Sequence, residues 1–104
     1  MHNIKELKIW NKAIELAVEV YELTSRFASD EKFGLISQTR RCAVSISSNI
    51  SEGAGRNSAG EFKQFLGIAN GSSYELQTQL IIANKLGFLE IEETDKILDK
   101  IDEI

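Results

Sequence analysis

Six polar residues, Gln38, Arg41, Ser45, Asn49, Glu52 and Arg56, follow one another at spacings of 3, 4, 4, 3 and 4, which on a helix sets all six along one stripe. The flanking residues Leu35, Cys42, Ile46 and Ile50 are apolar. Such a stripe has to lie beside or inside a packed seam, where polar groups need hydrogen-bonding partners. The pattern therefore calls for a second helix whose own polar positions meet the first at matching levels.

The remainder of the chain supplies helices. There is no proline and no strict two-residue alternation among the 104 residues, and apolar residues recur at intervals of three and four, as in an all-helical protein. This length suits a single domain over residues 1–104. The first helix is expected from about Ile4 to Phe27, with one apolar seam at Leu7, Trp10, Ile14, Ala17 and Tyr21. A second seam runs through Ile9, Ala13, Leu16, Val20, Leu23 and Phe27. The two seams lie roughly 110° apart and leave a narrow polar wedge. So wide an apolar arc fits either two neighbours in one bundle or burial of one seam against another subunit. Trp10 and Tyr21 are expected to fill the core with their polar tips at its edge.

Ser29 or Asp30 is expected to cap a second helix that continues to about Ala54, where Gly53-Ala54-Gly55 ends it. Ser58 and Glu61 form a capping box that opens a third helix, about Ala59 to Leu86, with Gly87 as its terminating residue. A shorter fourth helix, from about Glu92 to the end, sets Ile97, Leu98, Ile101 and Ile104 against acids. The reading is all-α: an antiparallel up-and-down four-helix bundle with a short fourth helix.

A short connection makes helices two and three an antiparallel hairpin, so residues whose numbers sum to roughly 114 to 117 become neighbours. This pairs Arg41 with Glu75, Gln38 with Gln79 and Ser45 with Ser72. The expected result is an interior or half-buried polar lock of Gln38, Arg41, Ser45, Asn49, Glu52, Ser72, Glu75 and Gln79, in which Arg41 donates to Glu75. These residue types also serve ligand and nucleic-acid sites. The structural reading has the advantage that helix three supplies partners without a ligand.

Net charge is −4, but its distribution matters: residues 1–89 balance at +1 and residues 90–104 at −5. Most of the chain is thus close to neutral, and a local basic face remains open to it. Arg40, Arg56 and Lys63 are the candidates for phosphate contact, set against the plainer reading as solvated surface charge. No apolar stretch is long enough to span a bilayer and no targeting segment is apparent, so a soluble cytoplasmic protein is expected. Cys42, the one cysteine, excludes an internal disulfide and reads as a small buried hydrophobe.

Catalytic chemistry has little to stand on. The one histidine, His2, gives no support for a metal site or a histidine-dependent triad. Gly53-Ala54-Gly55-Arg56-Asn57-Ser58 follows a helix and lacks the Gly-Lys-Ser/Thr ending of a phosphate loop. Glu61 is explained by capping, which leaves Glu52 without a convergent acid. No catalytic residue, cofactor, metal or small-molecule substrate is expected.

Trp10 and Tyr21, then LISQTRRCAVSISSNISEGAGR over Leu35 to Arg56, then EFKQFLGIANGSSYELQTQL over Glu61 to Leu80, together resemble the bacterial 23S rRNA intervening-sequence proteins. The resemblance spans nearly the whole chain, and departs at Ala28 and Ser47, where that family often carries proline. It implies an antiparallel four-helix bundle assembling as a homopentamer, and kinship with accessory proteins of diversity-generating retroelements, which bind nucleic acid and a reverse transcriptase. Three functions follow as expectations: a homo-oligomeric scaffold or adaptor for an RNA or reverse-transcription complex, an RNA- or DNA-binding protein using a basic rim, and, least supported, an RNA-processing enzyme.

Overall fold

A computed structural model describes residues 3–104, apart from the side chain of Lys32; His2 and the question of its metal chemistry lie outside the described residues. Four α-helices follow in order, α1 (Lys8–Thr24), α2 (Ser37–Ala54), α3 (Ala59–Lys85) and α4 (Ile91–Asp102). Each packs antiparallel on the next. Arg40 of α2 reaches Thr24 near the end of α1, Ser45 of α2 meets Ser72 of α3, and Lys100 of α4 meets Glu19 of α1. The arrangement is the expected four-helix bundle.

Its core takes one stripe from every helix: Ala13, Leu16 and Val20 from α1, Ala43, Ile46 and Ile50 from α2, Leu76, Leu80 and Ala83 from α3, Ile97 and Ile101 from α4. Burying each of the larger aliphatic side chains contributes about 1.5–3 kcal/mol, so packing holds α2 despite its many serines.

Local chemistry sets the ends of α3. Ser58 Oγ accepts the Glu61 amide at 3.2 Å, and at the other end Gly87 takes φ +86, a conformation favouring glycine. There the Phe88 amide donates to Ala83 O at 2.9 Å and the Gly87 amide to Asn84 O at 3.0 Å, a Schellman ending. It turns Phe88 onto Phe27, with ring centroids 5.4 Å apart.

Two expectations change. The first helix is divided: a 3-10 turn, Ile4–Glu6, precedes an extended Leu7, and the Asn11 amide donates to the Lys5 and Leu7 carbonyls, closing off the start of α1. The second helix does not start at Ser29 or Asp30. A 3-10 turn at Ser29–Glu31 leads into a wider π-type turn, Lys32–Ile36, broken at Gly34 (φ −103, ψ −106), and the regular helix begins at Ser37. Glu31, not Ser29 or Asp30, provides the capping acceptor, for the Leu35 amide.

Helix α4 has 12 residues against 27 in α3, about 18 Å against about 40 Å at 1.5 Å per residue. The first half of α3 accordingly has no stretch of α4 beside it. No helix among the described residues is long and apolar enough to cross a membrane.

Candidate functional site

Close approach of α2 and α3 begins at their connection. Gly53 is buried, and a Cβ placed on it would stand 2.7 Å from Cβ of Phe65. Sequence alone presents Gly53 as part of a helix stop. In the fold it lies within α2 at a contact that only glycine fits, and Gly55 follows as the C-cap.

From that contact the two helices run side by side with numbers summing to 117, and a cleft of about 470 Å³ opens between them. Gln38, Arg41, Cys42, Ser45, Ser72, Glu75 and Gln79 line it. The Ser45 and Ser72 hydroxyls lie 2.9 Å apart, as the expected pairing requires. Asn49 instead turns to its own helix, donating to Ser45 O at 2.8 Å and Ser45 Oγ at 3.0 Å.

The central pair differs from expectation. Arg41 donates back along α2 to Ser37 Oγ at 3.2 Å, and the Cys42 thiol donates to Glu75 Oε2 at 3.3 Å. No ion pair joins Arg41 to Glu75 among the described residues. Position 42 faces α3 more directly than position 41, so the thiol reaches the carboxylate that the guanidinium was expected to hold. Of the two depths expected, interior or half-buried, the shallower describes Ser45, Asn49, Ser72 and Gln79, which are half-buried, while Gln38, Arg41 and Glu75 are exposed. Glu52 is outside the cleft altogether, exposed and 3.9 Å from Arg56. Exposed charges of this kind carry little stability.

Burial, reinforced by the Glu75 carboxylate, pushes the Cys42 thiol above its ordinary range, so it stays protonated at neutral pH. Its part in the cleft was legible only once the helix register was known. Gln79 adds a different feature, because its Oε1 is shielded from solvent and has no hydrogen-bond partner.

Arg40, Arg56 and Lys63 do not form one cluster. Arg40 stacks over the Tyr21 ring at 4.5 Å, donates through Nε to Thr24 Oγ1 at 2.8 Å, and reaches Tyr21 O at 3.3 Å. It is occupied with closing the C-terminus of α1, a place where a cation is favourable. Arg56 and Lys63 are exposed near the α2–α3 connection; sixteen residues along a helix separate Arg40 from Arg56 by about 24 Å. Arg56 also lies over Phe65, 4.8 Å from its ring centroid.

The aromatic residues assigned to the core stand farther out. Trp10 is half-buried, and Tyr21 is 44% exposed. Along α1 the seam Ala13, Leu16 and Val20 enters the core, whereas Ile14, Val18 and Tyr21 remain exposed together, with Val44 of α2 exposed as well. Trp10 and Ile14 border a shallow depression floored by Ser47, Ser48 and Ser51. Phe33, Tyr21 and Val44 share a second depression with Arg40 and Arg41. Sequence periodicity shows the width of this apolar arc but not which of its seams the bundle buries.

Among the described residues, no group of three or more histidine, cysteine, aspartate or glutamate side chains could hold a metal ion. Residues 5–104 match the family described as 23S rRNA-intervening sequence protein. The fold resembles the crystal structure of a protein with unknown function from the S23 ribosomal protein family of Bacteroides thetaiotaomicron VPI-5482, at a TM-score of 0.84 and 25% identity. The alignment covers 91% of this chain and 86% of that one. No curated protein gives a significant match.

Proposed function

The chain belongs to the 23S rRNA-intervening sequence protein family, and on that premise we propose that it is a non-enzymatic homo-oligomeric scaffold or adaptor serving an RNA or reverse-transcription complex. The carrying observation is the divided face of α1. Its inner seam is buried, while Ile14, Val18 and Tyr21 stay 38%, 54% and 44% exposed on one side. Apolar surface left in water costs about 25 cal/mol per Å², and a contiguous strip of it marks a protein contact. The serines of α2 beside that strip are small enough for another helix to come close. Five copies is the number that the family resemblance implies; the face supports association.

Direct nucleic-acid binding has a narrower footing, since Arg40 is committed to α1 and the exposed candidates reduce to Arg56 and Lys63.

Light scattering on the purified protein tests the scaffold. The expected mass is a multiple of the 11.6 kDa chain, and Val18→Glu lowers it while leaving the helical circular dichroism intact. A wild-type monomer at micromolar concentration overturns the reading.

A further inference from the structure

The α2–α3 cleft holds two opposite charges that do not meet. Arg41 on the α2 side and Glu75 on the α3 side are both exposed and make no ion pair with each other. One level along, exposed Gln38 faces the helix bearing Gln79, whose Oε1 is shielded and unpartnered. Apolar residues extend the same α3 seam beyond the polar middle: Ile68 is 48% exposed, Ile82 44% and Leu86 59%. A small solute would satisfy the middle and leave those ends in water. A protein surface covers both.

We propose that this cleft is a docking surface for a second copy of the same chain, related by a two-fold axis running along the groove. That operation keeps each residue at its own level while exchanging the α2 and α3 sides. Arg41 of one copy then lies over Glu75 of the other, and the reverse. Gln38 comes level with the partner's Gln79. An axis across the groove would instead oppose Arg41 to Arg41, and like charges placed together are repelled. The groove is thus self-complementary in one orientation, and Ile68, Ile82 and Leu86 close its ends. The α3 half of this pairing, Glu75 with Ile68, Ile82 and Leu86, lies apart from the α1 face, whereas Arg41 also borders the depression with Tyr21 and Val44, so Glu75→Arg is the swap that isolates the groove.

Charge exchange tests it. Sedimentation equilibrium of the full chain is measured from micromolar to millimolar concentration for wild type, Arg41→Glu, Glu75→Arg, an equimolar mixture of the two variants, and the double swap. Each single swap is expected to halve the assembly mass, because it places like charges opposite one another. The mixture restores the mass, since one partner then offers two anions and the other two cations, and the double swap associates by itself. Arg41→Gln, which adds no repulsion, weakens the association without reversing it, and circular dichroism tracks folding throughout. A monomeric wild type, a mass indifferent to both single swaps, or a loss that neither the mixture nor the double swap restores overturns the proposal. Val18→Glu reports on the α1 face separately, so failure of the one is told from failure of the other.

Discussion

Gly53 sits so close to Phe65 that the missing side chain is itself part of the α2–α3 contact: an added Cβ would come within 2.7 Å of the phenylalanine Cβ and 3.0 Å of Phe62 Cδ1. One methyl group there has to push α2 away from α3. Gly53→Ala is expected to destabilise the fold by about 1–3 kcal/mol through overpacking, against a gain in helix propensity of about 1 kcal/mol. Gly67 of α3 is the contrast, with nothing within 4 Å of an added Cβ. Thermal denaturation should show a midpoint lowered by Gly53→Ala and raised by Gly67→Ala; a rise in both would mean that the two helices have room to spare.

The Cys42 thiol owes its elevated proton affinity first to burial and then to the neighbouring carboxylate. Glu75→Gln removes the second cause and leaves the first. Alkylation at mildly alkaline pH should therefore be slow in the wild type and faster in the variant, while remaining slower than for a free thiol. If the rates were equal, the thiol and the carboxylate would not be in contact.

Arg40 joins the end of α1 to α2 through a hydroxyl, a carbonyl and an aromatic face. Replacing it by alanine should cost about 1–2 kcal/mol. Arg40→Lys should recover only part, because an ammonium cannot reproduce the planar fork. Chemical denaturation measures both variants. Equal stability of Arg40→Ala and wild type would return this residue to the solvated cations available for phosphate.

Glu93 accepts from Arg26 and, through its other oxygen, from its own helix at the Glu90 amide. The Arg26 hydrogen bond is the main cause that holds its carboxyl below the usual glutamate range, partly opposed by desolvation. A depressed carboxyl contributes stability above the ordinary glutamate value and loses it as pH falls through the lowered one. Between about pH 7 and about pH 3, wild type should lose more thermal stability than Glu93→Gln. Parallel curves for the two proteins would show that Arg26 and Glu93 do not interact in solution.

The sequence exposes those features whose causes are local. Ser58 with Glu61 opens α3, and Gly87 with Phe88 closes it, because each uses side chains or backbone within a few residues. The antiparallel register also follows from a short connection, and Ser45 duly meets Ser72. What stays hidden depends on side-chain direction. Spacing places Arg41 and Cys42 beside Glu75 but cannot say which of them reaches it, or that Arg41 folds back to Ser37. Gly34 reads as a weak helix residue, and the break falls on it, but spacing does not show that the regular helix waits until Ser37. The role of Arg40 depends on Tyr21 and Thr24, sixteen and more residues away. Periodicity likewise gives both seams of α1 equal standing, and only the packed bundle separates buried Leu16 from exposed Ile14 and Tyr21.

Helix α4 is tied to α1 through Glu19 and Lys100, and to the turn just after α1 through Arg26 and Glu93. Glu93 and Lys100 are seven residues apart and share one face of α4. Either tie alone would be a pivot, weak and free to swing. Two in line act as guides: on a helix already seated by Ile97 and Ile101, they favour one position lengthwise and one rotation about its axis. Charges that contribute little to holding the molecule together can in this way decide where its shortest rod comes to rest.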